Sequence, residues 1–133
     1  TTGDWATHCI EHELSGMFDV SHGAGLAAVW GSWARYTRQE NLPRFVRFAH
    51  NVMGVETADM DCIEASEAGI KALEAFFQKI GMPTNIHSLI GRDVTDGEIE
   101  TMADKCTNGD TITVGGLMQL RKADVMEIYR MAR

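Results

Sequence analysis

The stretch from Asp4 to Ala27, DWATHCIEHELSGMFDVSHGAGLA, predicts two helices joined by a short turn and carries three of the chain's five histidines. His8 and His12 are four residues apart, so on a helix their imidazoles project from the same face. A polar break follows, and His22 stands at the start of the second helix. The turn folds this third imidazole back toward the first, and the glycines beside it allow the helices to pack closely. The stretch therefore predicts half of a metal site.

Apolar residues keep a helical spacing through most of the chain. The first helix is predicted to begin at a cap on Asp4 and to run to about Met17, with Trp5 among its apolar positions. The segment from His22 to Gln39 is apolar nearly all round, which predicts a helix buried at the centre of the fold. Further helices are predicted over 43–53, 58–80, 95–106 and 121–133, with an irregular segment at 86–91 and an extended loop at 111–114.

The predicted fold class is all-α, a multi-helix bundle. No segment beyond 111–114 has the alternating pattern of a strand. A chain of 133 residues suffices for one core, so we expect a single helical, metal-binding domain over 1–133. The apolar stripe of the fourth helix is predicted to face that core, and it consists of Ile63, Ala68, Ile70, Leu73, Phe76, Phe77 and Ile80.

Composition excludes several classes of function. The net charge of −7 argues against nucleic acid as a partner, because a phosphate-binding surface needs a basic excess. No apolar run reaches the roughly 20 residues that span a bilayer, so no membrane partner is expected. The three cysteines are scattered and form no C-x-x-C pair, which fits a reducing cytoplasm. The chain begins without methionine, close to its histidine-rich stretch, as expected either of a piece of a longer protein or of a protein from which an N-terminal tag has been removed.

The string His8-Cys9-Ile10-Glu11-His12 satisfies the inverted zinc-peptidase motif H-x-x-E-H. In that interpretation both histidines bind zinc and Glu11 activates a water molecule. The motif gives no reason for the H-G-A-G-L-A sequence that begins at His22. A zinc metallopeptidase is therefore the weaker of two metal-based interpretations.

The stronger interpretation comes from a resemblance that covers nearly the whole chain. The histidine-rich run resembles the metal-binding signature of the iron-containing alcohol dehydrogenases. The butanol dehydrogenase branch of that family is similar in three further runs, A-V-W-G-S-W-A-R-Y at 28–36, A-L-E-A-F-F-Q-K-I-G-M-P-T at 72–84 and D-V-M-E-I-Y-R-M-A at 124–132. Ser21 departs from the pattern, since many members have proline before the H-G pair. The resemblance implies the helical C-terminal domain of such an enzyme.

The resemblance also implies roles for the three histidines. His8 and His22 occupy the positions of two ligands of the catalytic metal, Fe²⁺ or Zn²⁺. His12 occupies a position in the same cleft, near substrate and nicotinamide, where an imidazole that titrates near neutrality suits a proton relay or substrate orienter. The methionines and tryptophans are expected mainly to pack in the core, and at most Met17, Phe18 and Trp30 line that cleft. His50 and His87 are expected at the surface, and Cys9 as a packed thiol.

Further expectations follow from what the resemblance places outside this chain. The family has a nucleotide-binding domain that holds NAD(P), and two more metal ligands, neither of which this sequence shows. We therefore expect the alcohol or aldehyde substrate to react only in the full-length protein, and the 133-residue chain alone to bind metal weakly and to be inactive. A helical interaction module with structural histidines is the non-enzymatic alternative. Apolar surface left by a missing domain would favour a homo-oligomer.

Overall fold

The structure is a computed structural model that describes residues 6–133. Within that range the all-α prediction is confirmed, because there is no strand and only one isolated β-bridge, between Val114 and Leu120. The predicted cap at Asp4 and the apolar position Trp5 lie outside the described residues. The α-helices are α1 (Ala6–Phe18), α2 (His22–Thr37), α3 (Leu42–Arg47), α4 (Cys62–Lys79), α5 (Ile86–Ile90), α6 (Asp96–Cys106) and α7 (Lys122–Ala132).

Helix α2 is the centre of the fold, as its apolar pattern predicts. It packs against α1, α4, α5 and α7, while α6 packs against α1 and α7. The break after α1 is a tight turn in which Asp19 takes a left-handed backbone conformation, with φ 55°. Ser21 then caps α2, its hydroxyl accepting a hydrogen bond from the Ala24 amide. This turn places His22 in the first turn of α2, directly beside α1.

An ion network holds the far end of α2 against α4. The guanidinium of Arg35 contacts Glu74 through two hydrogen bonds of 2.6 and 3.0 Å and reaches Glu67 at 2.9 Å. Arg38 binds the other carboxylate oxygen of Glu67 at 2.7 Å. Because these groups are partly buried and held by several bonds each, they fix the position of α2 better than an isolated surface pair would.

The chain between α2 and α4 is not a single regular α-helix over the predicted range 43–53. A 3₁₀ turn at Arg38–Asn41 connects α2 to α3, and a π-helical turn at Phe48–Val52 continues α3. The fourth helix starts at Cys62 rather than at the predicted Ala58, because the Asp61 carboxylate caps it by accepting the Glu64 amide at 2.8 Å.

Two sequence predictions about the middle of the chain are wrong. The segment at 86–91, predicted to be irregular, contains the short helix α5, with Asn85 as its cap and Gly91 ending it at φ 79°. The predicted core stripe of α4 is correct at Ile70, which is fully buried, but wrong at its two ends, where Ile63, Phe76 and Ile80 are 41%, 50% and 54% exposed. The face that α4 does bury consists of Ala65, Ser66, Gly69 and Ile70.

Close contact explains the choice of that face. A Cβ atom added at Gly69 would lie 2.6 Å from the Cβ of Ala49 and 2.8 Å from its Cα, so only glycine lets α4 approach the π-helical turn. The buried face of α4 is therefore made mostly of small residues, with Ile70 as its one large side chain. None of the described helices is both long and apolar enough to cross a membrane.

Candidate metal centre

The imidazoles of His8 and His22 face one another across the α1–α2 turn. The Nε2 atom of His22 lies 3.1 Å from the Nδ1 atom of His8, and the ring centroids are 5.0 Å apart. The side chain of His22 is 54% exposed, so the pair lies at the surface of this chain. The structure therefore brings together the two residues for which the family resemblance implies a role as metal ligands.

A buried carboxylate holds the second of these imidazoles. Glu11 has no exposed surface, and its Oε2 atom is hydrogen-bonded to Nδ1 of His22. The hydroxyl of Ser15 donates to the other oxygen, Oε1. Glu11 is therefore turned toward α2 and away from the face that carries His12. The peptidase interpretation, which requires this glutamate to activate a water molecule between His8 and His12, is wrong.

His12 lies one helical turn from His8 and is exposed. Both imidazoles line a pocket of about 310 Å³, whose other lining residues are Cys9, Glu13 and Cys106. Cys106 comes from the end of α6, so the pocket lies between α1 and α6. The spacing of the two histidines on one face of a helix is as predicted, and the pocket beside them had no counterpart in the sequence pattern.

The thiols in this pocket are poor candidates for chemistry. Burial, followed by the neighbouring Cys9 and Glu13, raises the pKa of Cys106 to about 12, so its thiol stays protonated near neutral pH. A protonated thiol is a poor nucleophile. Cys9 is half-buried and packs against the core, in agreement with its predicted role as a packed thiol.

Met17, Phe18 and Trp30 have the packing role that the sequence first predicts for them. Met17, Phe18 and Trp30 do not line the pocket beside His12 and are partly buried against the core. The indole of Trp30 packs between the rings of Phe48 and Phe77, with centroids 5.7 and 6.4 Å away. His50 and His87 are exposed, as predicted.

The donor set is suited to a divalent transition metal. Because a metal–nitrogen bond to imidazole is about 2.0–2.1 Å long, two nitrogens 3.1 Å apart can share one ion. Imidazole ligands suit iron and zinc alike. Among residues 6–133, however, no three histidine, cysteine, aspartate or glutamate side chains are grouped so as to hold an ion. His8 and His22 fit as two ligands of a site that needs further ones.

The contact between Glu11 and His22 is not predicted by the sequence patterns described above. The available signal was the position of Glu11 on α1, between the buried Ile10 and Leu14, where a glutamate requires a polar partner. Gly25 on the facing helix α2 was a second indication in the sequence, because a glycine there leaves space for a neighbouring side chain. A Cβ atom there would come within 2.6 Å of the Glu11 Cγ atom. Glycine at position 25 therefore makes room for the buried carboxylate. This agrees with the expectation that the glycines after His22 let the two helices pack closely.

Comparisons with known proteins agree with this architecture. Residues 1–133 match the model of the Fe-containing alcohol dehydrogenase family, C-terminal. The probable NADH-dependent butanol dehydrogenase 1 of Bacillus subtilis is 39% identical over 129 residues, which make up 96% of this chain and 32% of that protein. NADH-dependent butanol dehydrogenase A of Clostridium acetobutylicum is 32% identical over 128 residues, covering 95% of this chain and 32% of that protein.

Solved structures show the same fold. NADH-dependent butanol dehydrogenase A from Thermotoga maritima superposes with a TM-score of 0.85 at 32% identity, covering 99% of this chain and 33% of that one. The substrate- and cofactor-free aldehyde reductase YqhD from E. coli gives a TM-score of 0.87 at 26% identity, covering 98% of this chain and 33% of that one. In each comparison the chain corresponds to about a third of a larger protein.

The fold and the site together define an all-α domain in which two adjoining helices carry facing imidazoles. The chain belongs to the Fe-containing alcohol dehydrogenase family, whose C-terminal part it matches throughout. It spans about a third of the length of the curated relatives it resembles, at 32% of each. The family resemblance expected from the histidine-rich stretch and from the three further runs is confirmed.

Proposed function

We propose that this chain is the C-terminal domain of an NAD(P)-dependent, metal-dependent alcohol dehydrogenase that interconverts alcohols and aldehydes. The observation that carries the proposal is the distance of 3.1 Å between Nε2 of His22 and Nδ1 of His8, in a domain of this family. The names of the relatives support the reaction class, since several are NADH-dependent butanol dehydrogenases. A butanol-like substrate is the corresponding expectation for the full-length protein.

His8 and His22 are proposed as two ligands of the catalytic metal, Fe²⁺ or Zn²⁺. When bound, such an ion supplies Lewis-acid polarisation to the oxygen of the alcohol or aldehyde. The contribution of this chain is to hold two imidazoles at fixed positions on α1 and α2, with the His22 ring tied to Glu11. The remaining ligands are proposed to come from another part of the full-length protein, which completes the site from the exposed side of the pair.

His12 is proposed to orient the substrate or to relay a proton. Its imidazole is exposed and lines the pocket of about 310 Å³ that it shares with His8, one helical turn from the proposed ligand. In the alcohol-to-aldehyde direction the hydroxyl proton must leave, and a neutral imidazole nitrogen at this place can accept it. Hydride exchange with the nicotinamide is proposed to involve NAD(P) bound mainly outside this chain.

The test is aldehyde-dependent oxidation of NADH and NADPH by the full-length protein. We expect turnover with a short-chain aldehyde such as butanal, and its loss by at least about a hundredfold in His8→Ala and in His22→Ala, since both remove a proposed metal ligand. His50→Ala is the control, because His50 is an exposed histidine remote from the pair in sequence. Wild-type turnover in both ligand variants would refute the proposed roles. The 133-residue chain alone is expected to show no turnover.

A further inference from the structure

The buried carboxylate of Glu11 has a specific relation to the proposed metal ligand. Its side chain is fully buried at the α1–α2 contact, although carboxylates are rarely buried without partners. One oxygen accepts from the hydroxyl of Ser15, and the other contacts Nδ1 of His22. Both oxygens are thus used in contacts between α1 and α2 or within α1, and neither is directed at the pocket beside His12.

The contact of Glu11 with His22 decides which ring nitrogen of His22 remains available to bind a metal ion. An ionised carboxylate can only accept, so a hydrogen bond between Nδ1 of His22 and Glu11 requires the proton on Nδ1 and leaves the lone pair on Nε2. That Nε2 atom is the one that lies 3.1 Å from Nδ1 of His8. The arrangement selects the tautomer of His22 and aims its lone pair at the position that the two imidazoles share.

The surrounding structure keeps Glu11 in this position. A Cβ atom at Gly25 would lie 2.6 Å from Cγ and 2.8 Å from Cδ of Glu11, so α2 leaves a recess that the carboxylate fills. Gly23, one residue after His22, has a different environment. A Cβ atom there would meet only the Cε atom of Met82, at an ordinary 3.8 Å. The two glycines therefore give a matched pair of substitutions, one that displaces Glu11 and one that does not.

We propose that Glu11 is a positioning residue for the metal centre, holding His22 in the Nδ1-protonated tautomer with Nε2 directed at the ion. This inference rests on the proposed function, in which His22 is a metal ligand. A carboxylate that orients a ligating imidazole in this way affects metal affinity without touching the metal. It also gives a reason for a glutamate at position 11 that is independent of peptidase chemistry.

The first test needs no substitution. In the metal-free, full-length protein with ¹⁵N-labelled histidine, the signals of His22 are assigned by their loss in His22→Ala. At a pH where the imidazoles are neutral, we expect the Nδ1–H tautomer for His22, with a hydrogen-bonded Nδ1 proton. The Nε2–H tautomer, or an even mixture of the two, would overturn the proposal.

The second test measures metal affinity by competition with a chelator, using Zn²⁺ as the probe. In Gly25→Ala, which displaces Glu11, we expect affinity to fall by about 10- to 100-fold with loss of the single tautomer of His22. In Glu11→Gln the amide oxygen can still accept from Nδ1, and we expect affinity to fall because the bond is no longer charge-assisted. Gly23→Ala should keep both wild-type affinity and the wild-type tautomer. Unchanged affinity in the two variants that disturb Glu11 would contradict the proposal. If Glu11→Gln fails to fold, the Gly25→Ala variant and the wild-type spectrum decide.

The two tests separate this inference from the proposed function. A wild-type protein that binds no Zn²⁺ refutes the proposed metal site, while the tautomer of His22 still reports whether Glu11 orients that ring. If the wild type binds Zn²⁺ through His22 and Gly25→Ala keeps the wild-type affinity, only the proposed role of Glu11 is refuted.

Discussion

The phenol of Tyr129 donates a hydrogen bond of 2.6 Å to the carbonyl oxygen of Ile10, which ties the last helix to the helix that carries His8 and His12. Tyr129 is completely buried, and burial is the main reason that its pKa lies well above the ordinary value. The bond joins residues at opposite ends of the chain. It therefore fixes α1, and with it the histidines, against the core.

We expect Tyr129→Phe to reduce the free energy of unfolding by about 1–2 kcal/mol, the usual effect of removing one partner of a buried hydrogen bond. The phenylalanine ring keeps the packing, so the loss reports the hydroxyl. Urea unfolding followed by circular dichroism measures it. A variant as stable as the wild type would show that the Ile10 carbonyl does not depend on this donor.

Replacing each of two helical glycines by alanine is expected to change the stability of the protein in opposite directions. Gly69→Ala should destabilise the protein by about 1–3 kcal/mol, because the added Cβ meets the backbone of Ala49. Gly16→Ala is the matched control on α1, where a Cβ would have no neighbour within 4 Å. It should stabilise by about 0.5–1 kcal/mol through helix propensity alone. Equal effects in unfolding experiments would contradict the close approach of α4 and the π-helical turn.

Tyr36 is expected to make stability depend on alkaline pH. Its hydroxyl donates to Asp124 at 2.5 Å, and this bond, followed by burial, raises the pKa of Tyr36 to about 12 from 10.0. A raised pKa means that the folded state binds the proton more tightly. The stabilisation is therefore complete below pH 10 and is lost as the pH rises toward 12.

The measurement for Tyr36 compares the unfolding free energies of the wild type and Tyr36→Phe by urea titration at several pH values. The advantage of the wild type should be constant up to about pH 9 and should shrink between about pH 10 and 12. An advantage that is unchanged or larger above pH 10 would show that the hydrogen bond to Asp124 does not hold the proton.

Much of this fold could be predicted from local sequence. The break at 19–21, the central position of α2 and the all-α class all follow from apolar periodicity and turn residues. The buried face of α4 could not, since it depends on how closely Gly69 approaches Ala49, and these residues are distant in the chain. Helix α5 was missed because five residues are too few to show a helical period.

The candidate site, like the fold, could be predicted from the sequence only in part. The facing of His8 and His22 follows from their positions on either side of a short turn. The role of Glu11 does not, because the same glutamate also satisfies the peptidase motif, whereas its burial and its contact with His22 are visible only in the structure. The pocket beside His12 depends on Cys106, which α6 brings to α1 from the other half of the chain.

His12→Ala in the full-length protein is expected to separate metal binding from turnover. Since His12 lines the pocket and is not one of the facing pair, the variant should keep the metal content of the wild type. We expect its turnover to fall by about 10²–10⁴-fold, the usual contribution of a group that transfers a proton. Metal analysis and NADH oxidation, performed on the same preparation, measure the two properties. A variant that retains full turnover would exclude the proposed role of His12.

The most direct test of the metal centre is the metal content of the full-length protein, measured by elemental mass spectrometry for the wild type, His8→Ala, His22→Ala and the control His87→Ala. His87 is an exposed histidine that pairs with Asp93 at 2.8 Å, outside the α1–α2 turn. We predict about one Fe or Zn per chain in the wild type and the control, and a loss of most of it in both ligand variants. Undiminished metal in His8→Ala and His22→Ala would contradict the assignment of these two imidazoles as ligands.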